Sequence, residues 1–152
     1  TVNAADRDST PAPVVSAAPT PAKATPTPAP SVAAKNVTTE LTKIRTLIAA
    51  KNFSAALSAL KVADKDFPNN AGINNLLGYS ARNLKQYKPA ATYYAKALKI
   101  DPKHLGALEY QGELFMLTKK TSDAKKNLAK LKSLCGVNCE EYIDLKKAIG
   151  NK

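Results

Sequence analysis

The sequence has no tryptophan, and aromatic residues make up only 6% of it. The few rings are not interleaved with the basic residues, which argues against a nucleic-acid surface built on base stacking. There is one histidine, His104, and there are two cysteines, Cys135 and Cys139. A zinc site on the cysteines would need two further ligands, and a single histidine cannot supply them. No Gly-rich phosphate loop, HExxH or GxSxG stretch occurs, so the common phosphate-binding, metalloprotease and serine-hydrolase signatures are absent. No apolar run approaches the roughly 18 residues of a membrane-spanning helix. Acidic residues are also scarce: 12 against 23 lysines and arginines, a formal net charge of +11. Such a balance favours acidic partners, whether an acidic protein face or anionic lipid headgroups at a membrane periphery.

What is present divides the chain in two. Residues 9–34 read STPAPVVSAAPTPAKATPTPAPSVAA and hold seven of the ten prolines. Proline fixes φ and lacks an N–H, so neither helix nor sheet propagates there, and few large apolar groups offset the entropy of ordering. Residues 1–36 are therefore expected to be a disordered Pro/Ala/Thr-rich tether, semi-extended in the polyproline manner. It would act as a spacer or as an inert tail. The sequon Asn36-Val37-Thr38 matters only in a glycosylating pathway and is taken as incidental.

From Val37 onward Leu, Ala, Lys and Ile dominate, and apolar residues recur at helical spacing. Leu41, Ile44, Leu47 and Ile48 share one face, as do Phe53, Ala56, Leu57 and Leu60. Above that periodicity lies a longer one. Ala56, Ala90 and Ala124 are 34 apart, as are Leu60, Tyr94 and Leu128, and Ala63, Ala97 and Leu131. Pro68, Pro102 and Gly136 follow the same step, and so do Gly78 and Gly112. Two helices per 34-residue unit is the signature of a stacked helical repeat.

The chain resembles the tetratricopeptide repeat family. Residues 71–104 carry the likeness best. Leu77-Gly78 matches the family's Leu-Gly pair, Ala90 and Tyr94 its Ala-x-x-x-Phe, Ala97 its second small residue and Pro102 its closing proline. Asn74 stands at the tryptophan-like position and Ala81 at the usual tyrosine. Residues 105–138 keep Gly112, Phe115 and Ala124. Residues 37–70 keep the second-helix half, with Ile44 where the glycine should be. The expected fold is all-α: a right-handed α-α superhelix of three helix-turn-helix repeats over 37–152. Helices are predicted near 38–50, 53–66, 72–84, 87–100, 105–118 and 121–134. Pro89 falls in the first turn of its helix, where its missing N–H has no intrahelical partner to lose. Tyr142, Ile143, Leu145, Ala148 and Ile149 then give one apolar face, which predicts a capping helix over 139–149.

Each residue with chemical potential has a plain structural reading beside the functional one. Cys135 and Cys139 could form a disulfide that pins the cap, worth about 1–3 kcal/mol for so short a loop. They could also stay reduced, or serve redox or metal chemistry. Three intervening residues depart from the CxxC redox spacing. His104 reads as a turn residue. Glu109 and Glu113 share a helical face, but no nucleophile or oxyanion donors accompany them for acid/base work. Lys119, Lys120, Lys125, Lys126, Lys130, Lys132, Lys146 and Lys147 form a solvated face or a docking patch for acidic surfaces.

The resemblance implies a concave groove lined by the first helix of each repeat. Its positions carry over to Leu41, Arg45 and Ile48, to Asn75, Tyr79, Arg82 and Asn83, and to Glu109, Glu113 and Met116. Asn75 would meet a peptide backbone, Arg82 a carboxylate, and Tyr79 would give a rigid contact. The family's carboxylate-clamp subset needs a fuller set of Lys and Asn residues than stands here. The expected role is a non-enzymatic adaptor without cofactor, supporting assembly of a bacterial envelope complex. The alternative is a thiol-redox or ligand-binding accessory factor centred on Cys135 and Cys139. The tether, the cysteine pair and the opening TVNAADRDST, which lacks an initiating Met, fit a processed periplasmic chain. A trimmed cytoplasmic protein would open in the same way.

Overall fold

The computed structural model describes residues 36–150, which form seven helices with no strand among them. They are α1 (Val37–Ala49), α2 (Phe53–Asp66), α3 (Ala71–Asn83), α4 (Tyr87–Ile100), α5 (Leu105–Leu117), α6 (Thr121–Cys135) and α7 (Glu140–Gly150). Each predicted helix is found within one residue at either end. The expected tether lies outside the described residues except for Asn36. That residue's side chain caps α1, accepting from Thr38 N at 2.8 Å.

The ends of the helices are set locally. Asn52 and Asn70 cap α2 and α3, accepting from the backbone N–H of Ala55 and Ile73. His104 caps α5 through Nδ1, which accepts from Ala107 N at 3.1 Å. Each cap satisfies a donor that the helix itself leaves unpaired. Inside every pair the turn is the same. Lys51, Lys85 and Lys119 take positive φ of 56°, 59° and 62°. The next residue then donates back five positions, from Asn52 to Leu47, Gln86 to Ala81 and Lys120 to Phe115. This is a Schellman-type closure, which uses the last helical carbonyls as acceptors.

Packing follows the 34-residue step. Ala56, Ala90 and Ala124 are fully buried, and so are Leu60 and Tyr94, while their counterpart Leu128 is only partly buried. A Cβ on Gly78 would lie 2.5 Å from the Tyr94 ring, so only glycine lets α3 and α4 approach this closely. Gly112 has a different neighbour. Its missing Cβ would meet Leu145 of α7 at 2.6 Å, not Leu128, the counterpart of Tyr94. α7 packs on α5 and α6, just as α5 packs on α3 and α4. It takes the seat that a following repeat's first helix would occupy, and the exposed face expected on the last pair is covered.

One polar link runs between the first two units. Asn74 Nδ2 donates to Asp64 Oδ1 at 3.0 Å, and Lys96 Nζ reaches the same carboxylate at 2.9 Å. At the end of α6, Cys135 joins Cys139 with an S–S distance of 2.02 Å. Gly136, at φ 82°, makes the turn between them.

Candidate functional site

The first helices lie side by side and together line one surface. Arg45, Ile48 and Ala49 of α1, Leu76 and Tyr79 of α3, and Tyr110 of α5 enclose a pocket of about 220 Å³. A row of rings crosses it. Phe53 meets Tyr79 edge-on at 6.1 Å, and Tyr79 and Tyr110 are tilted with centroids 4.9 Å apart. The Arg82 guanidinium lies 5.5 Å from both tyrosine rings, within cation–π range. One step further along, Arg82, Glu113, Met116, Leu117 and Ala148 line a second pocket of about 210 Å³.

This geometry places the expected groove residues unequally. Tyr79 is half-buried on the surface and Arg45 is exposed at its rim. Asn75, Glu109 and Met116 are instead interior, only 7%, 7% and 5% exposed. The reason is the neighbouring first helix. The Asn75 amide lies against Gly106 at the start of α5, while α7 covers the Glu109 and Met116 face of α5. Asn75 Oδ1 is buried without a hydrogen-bond partner, so it cannot serve a bound backbone as the sequence reading expected. Asn83 is exposed, but its amide turns back to donate to Tyr79 O.

Arg82 also departs from expectation. It is already ion-paired with Glu113, and its side chain is only 14% exposed. It is not free to fork onto an incoming carboxylate. Burial opposes its charge, but Tyr94 and Glu113 outweigh that and raise its pKa above the ordinary value.

The residues missed in the sequence are Phe53, Leu76 and Tyr110. Leu76 and Tyr110 are themselves 34 apart, each one place after Asn75 and Glu109. The 34-residue period carries the signal, one position beyond Asn75 and Glu109, while Arg45 and Tyr79 line the pocket as expected.

Electrostatics around the second pocket are lopsided. The Glu109 carboxyl is pushed up to about 8, by burial first and then by Glu113, Asp144 and Glu141, with Arg82 opposing. Burial, and then Glu109, raises the Tyr110 phenol to about 12. The lysines at 119, 120, 125, 126, 130, 132, 146 and 147 are all exposed, and of these Lys147 pairs with Asp144 at the acidic end. The Glu141 carboxylate lies within 4.8 Å of both cysteine sulfurs. With the sulfurs bonded to each other, neither is a thiolate ligand for a metal.

The profile of the tetratricopeptide repeat matches residues 71–104. The DnaJ protein P58IPK homolog of Arabidopsis thaliana is 32% identical over 103 residues, which is 68% of this chain and 21% of that protein. The chain thus spans about a fifth of the length of the curated relatives it matches. Among solved structures, the first TPR of Spaghetti (RPAP3) bound to the HSP90 peptide SRMEEVD superposes with a TM-score of 0.68 at 16% identity. That match covers 78% of this chain and 94% of the other. The second TPR domain of human RPAP3, in complex with the HSP70 peptide SGPTIEEVD, gives 0.66 at 14%, covering 76% and 96%. The sequence period, the helix pairs and these likenesses agree: residues 71–104 are a tetratricopeptide repeat, and the described helices have the fold of tetratricopeptide repeat domains.

Proposed function

We propose that this domain is a non-enzymatic adaptor that holds an extended peptide or a protein surface across its first helices. The observation that carries this is the row Phe53, Tyr79 and Tyr110 beside a pocket of about 220 Å³. Rigid aromatic surface left half-covered in a monomer is the usual material of a binding hot spot. The structural neighbours that hold HSP90 and HSP70 peptides support the reading by analogy of fold. The bonded cysteines and the Pro/Ala/Thr-rich stretch support an oxidising, exported setting. There the adaptor would serve assembly of an envelope complex in the periplasm. The exposed lysine face of α6 offers a second contact for acidic protein or for lipid headgroups at a membrane periphery.

Affinity capture of partners by the wild-type chain, compared with Tyr79→Ala, tests the proposal. Truncating a central tyrosine should weaken capture by about 2 kcal/mol, roughly thirtyfold, with helicity retained. Unchanged capture would refute the groove. Arg82→Ala is the poorer probe, because it strands Glu113 and disturbs the fold. The alternative, a thiol-redox or ligand-binding factor, is favoured only by the carboxylate of Glu141 beside the sulfurs. Capture lost in Cys135→Ser/Cys139→Ser and retained in Tyr79→Ala would select it.

A further inference from the structure

We infer that the groove selects an extended segment bearing an apolar or aromatic side chain and, two residues away, a lysine or arginine. This rests on the groove reading above and gives its occupant a chemistry. The first pocket is walled by Ile48, Leu76, Tyr79 and Tyr110, and so takes an apolar anchor. The second lies three to seven residues further along α5, from Tyr110 to Glu113 and Leu117. At about 1.5 Å per residue that is roughly 5–10 Å. Alternate side chains of an extended chain sit on one face about 6.6 Å apart, so one segment can fill both pockets.

Charge decides the second occupant. Four carboxylates gather at this end, Glu109, Glu113, Glu141 and Asp144. Arg82 answers Glu113, and Lys147 answers Asp144. Glu109 keeps its proton up to about pH 8, so at neutral pH three anions stand against two cations, an excess of one negative charge, in a chain whose total is +11. Burial first, and then the neighbouring carboxylates, hold the Glu109 pKa up. An incoming ammonium or guanidinium would be drawn there, and a carboxylate repelled. Arg45 at the opposite rim is exposed, so a pair formed there is screened and contributes little. Acidic partners would then belong to the lysine face, and the groove would take basic ones.

The test is a titration of the ¹⁵N-labelled full chain with blocked peptides Gly-Phe-Ala-Lys-Gly and Gly-Lys-Ala-Phe-Gly, and with their Gln and Glu counterparts. The lysine peptides should bind about tenfold tighter than the glutamine ones, and the glutamate peptides weakest. Shifts should centre on the amides of Tyr79, Tyr110 and Glu113. Glu141→Gln/Asp144→Asn should erase the lysine advantage without changing glutamine-peptide binding. Glutamate peptides that bind as tightly at the same amides would overturn the charge preference and leave the groove reading standing. If no peptide shifts those amides, this inference falls, and the Tyr79→Ala capture assay separately decides the groove.

Discussion

Lys51, Lys85 and Lys119 hold one left-handed conformation at one point of three successive units. A side chain with a Cβ is strained there, and glycine is not. Lys85→Gly should therefore raise stability by about 0.5–1 kcal/mol, read as a higher urea midpoint at unchanged slope. A fall would mean that the lysine stem makes a contact that outweighs the strain. These lysines stand 34 apart in the sequence, but lysine carries no turn signature that would announce the conformation. The asparagine caps have such a signature, and His104 does not. Its capping role follows only from Nδ1 facing Ala107 N. At Asn75 the sequence showed a polar residue on the first-helix face, but not that α5 would press against it.

At the scale of the helix, α7 shows how far patterning reaches. Its apolar stripe was legible, and so was its function as a cap. Its partner glycine was not, since a contact between Gly112 and Leu145 leaves no local trace in the chain. The pair can be tested by a double-mutant cycle. Gly112→Ala should cost about 2 kcal/mol by overpacking Leu145, measured by chemical denaturation. In a Leu145→Ala background the added cost should shrink toward zero. Equal costs in both backgrounds would show that Gly112 is tight against something else.

Over the whole molecule, charge is divided: lysines on the outside, and carboxylates where α5 meets α7. Sequence spacing put Glu109 and Glu113 on one face but could not add Glu141 and Asp144, which arrive from another helix. The consequence is a pH dependence with a definite sign. Glu109 loses its proton near 4.5 in the unfolded chain and near 8 in the folded one. The folded state thus binds more protons between these values, and stability falls as pH rises through that window. Glu109→Gln should flatten this slope and raise stability at pH 8.5 by on the order of 2 kcal/mol, with little change at pH 4. Parallel slopes for the two proteins would contradict the assignment.

The bridge from Asn74 through Asp64 to Lys96 makes the units non-interchangeable. One step along, the counterparts of Asp64 and Asn74 are Leu98 and Leu108. A shuffled gene that set residues 105–138 directly behind 37–70 would bring Asp64 up against Leu108, with no amide to receive its carboxylate. The order of the copies is thereby written into a single seam, and recombination among these modules would be penalised there first.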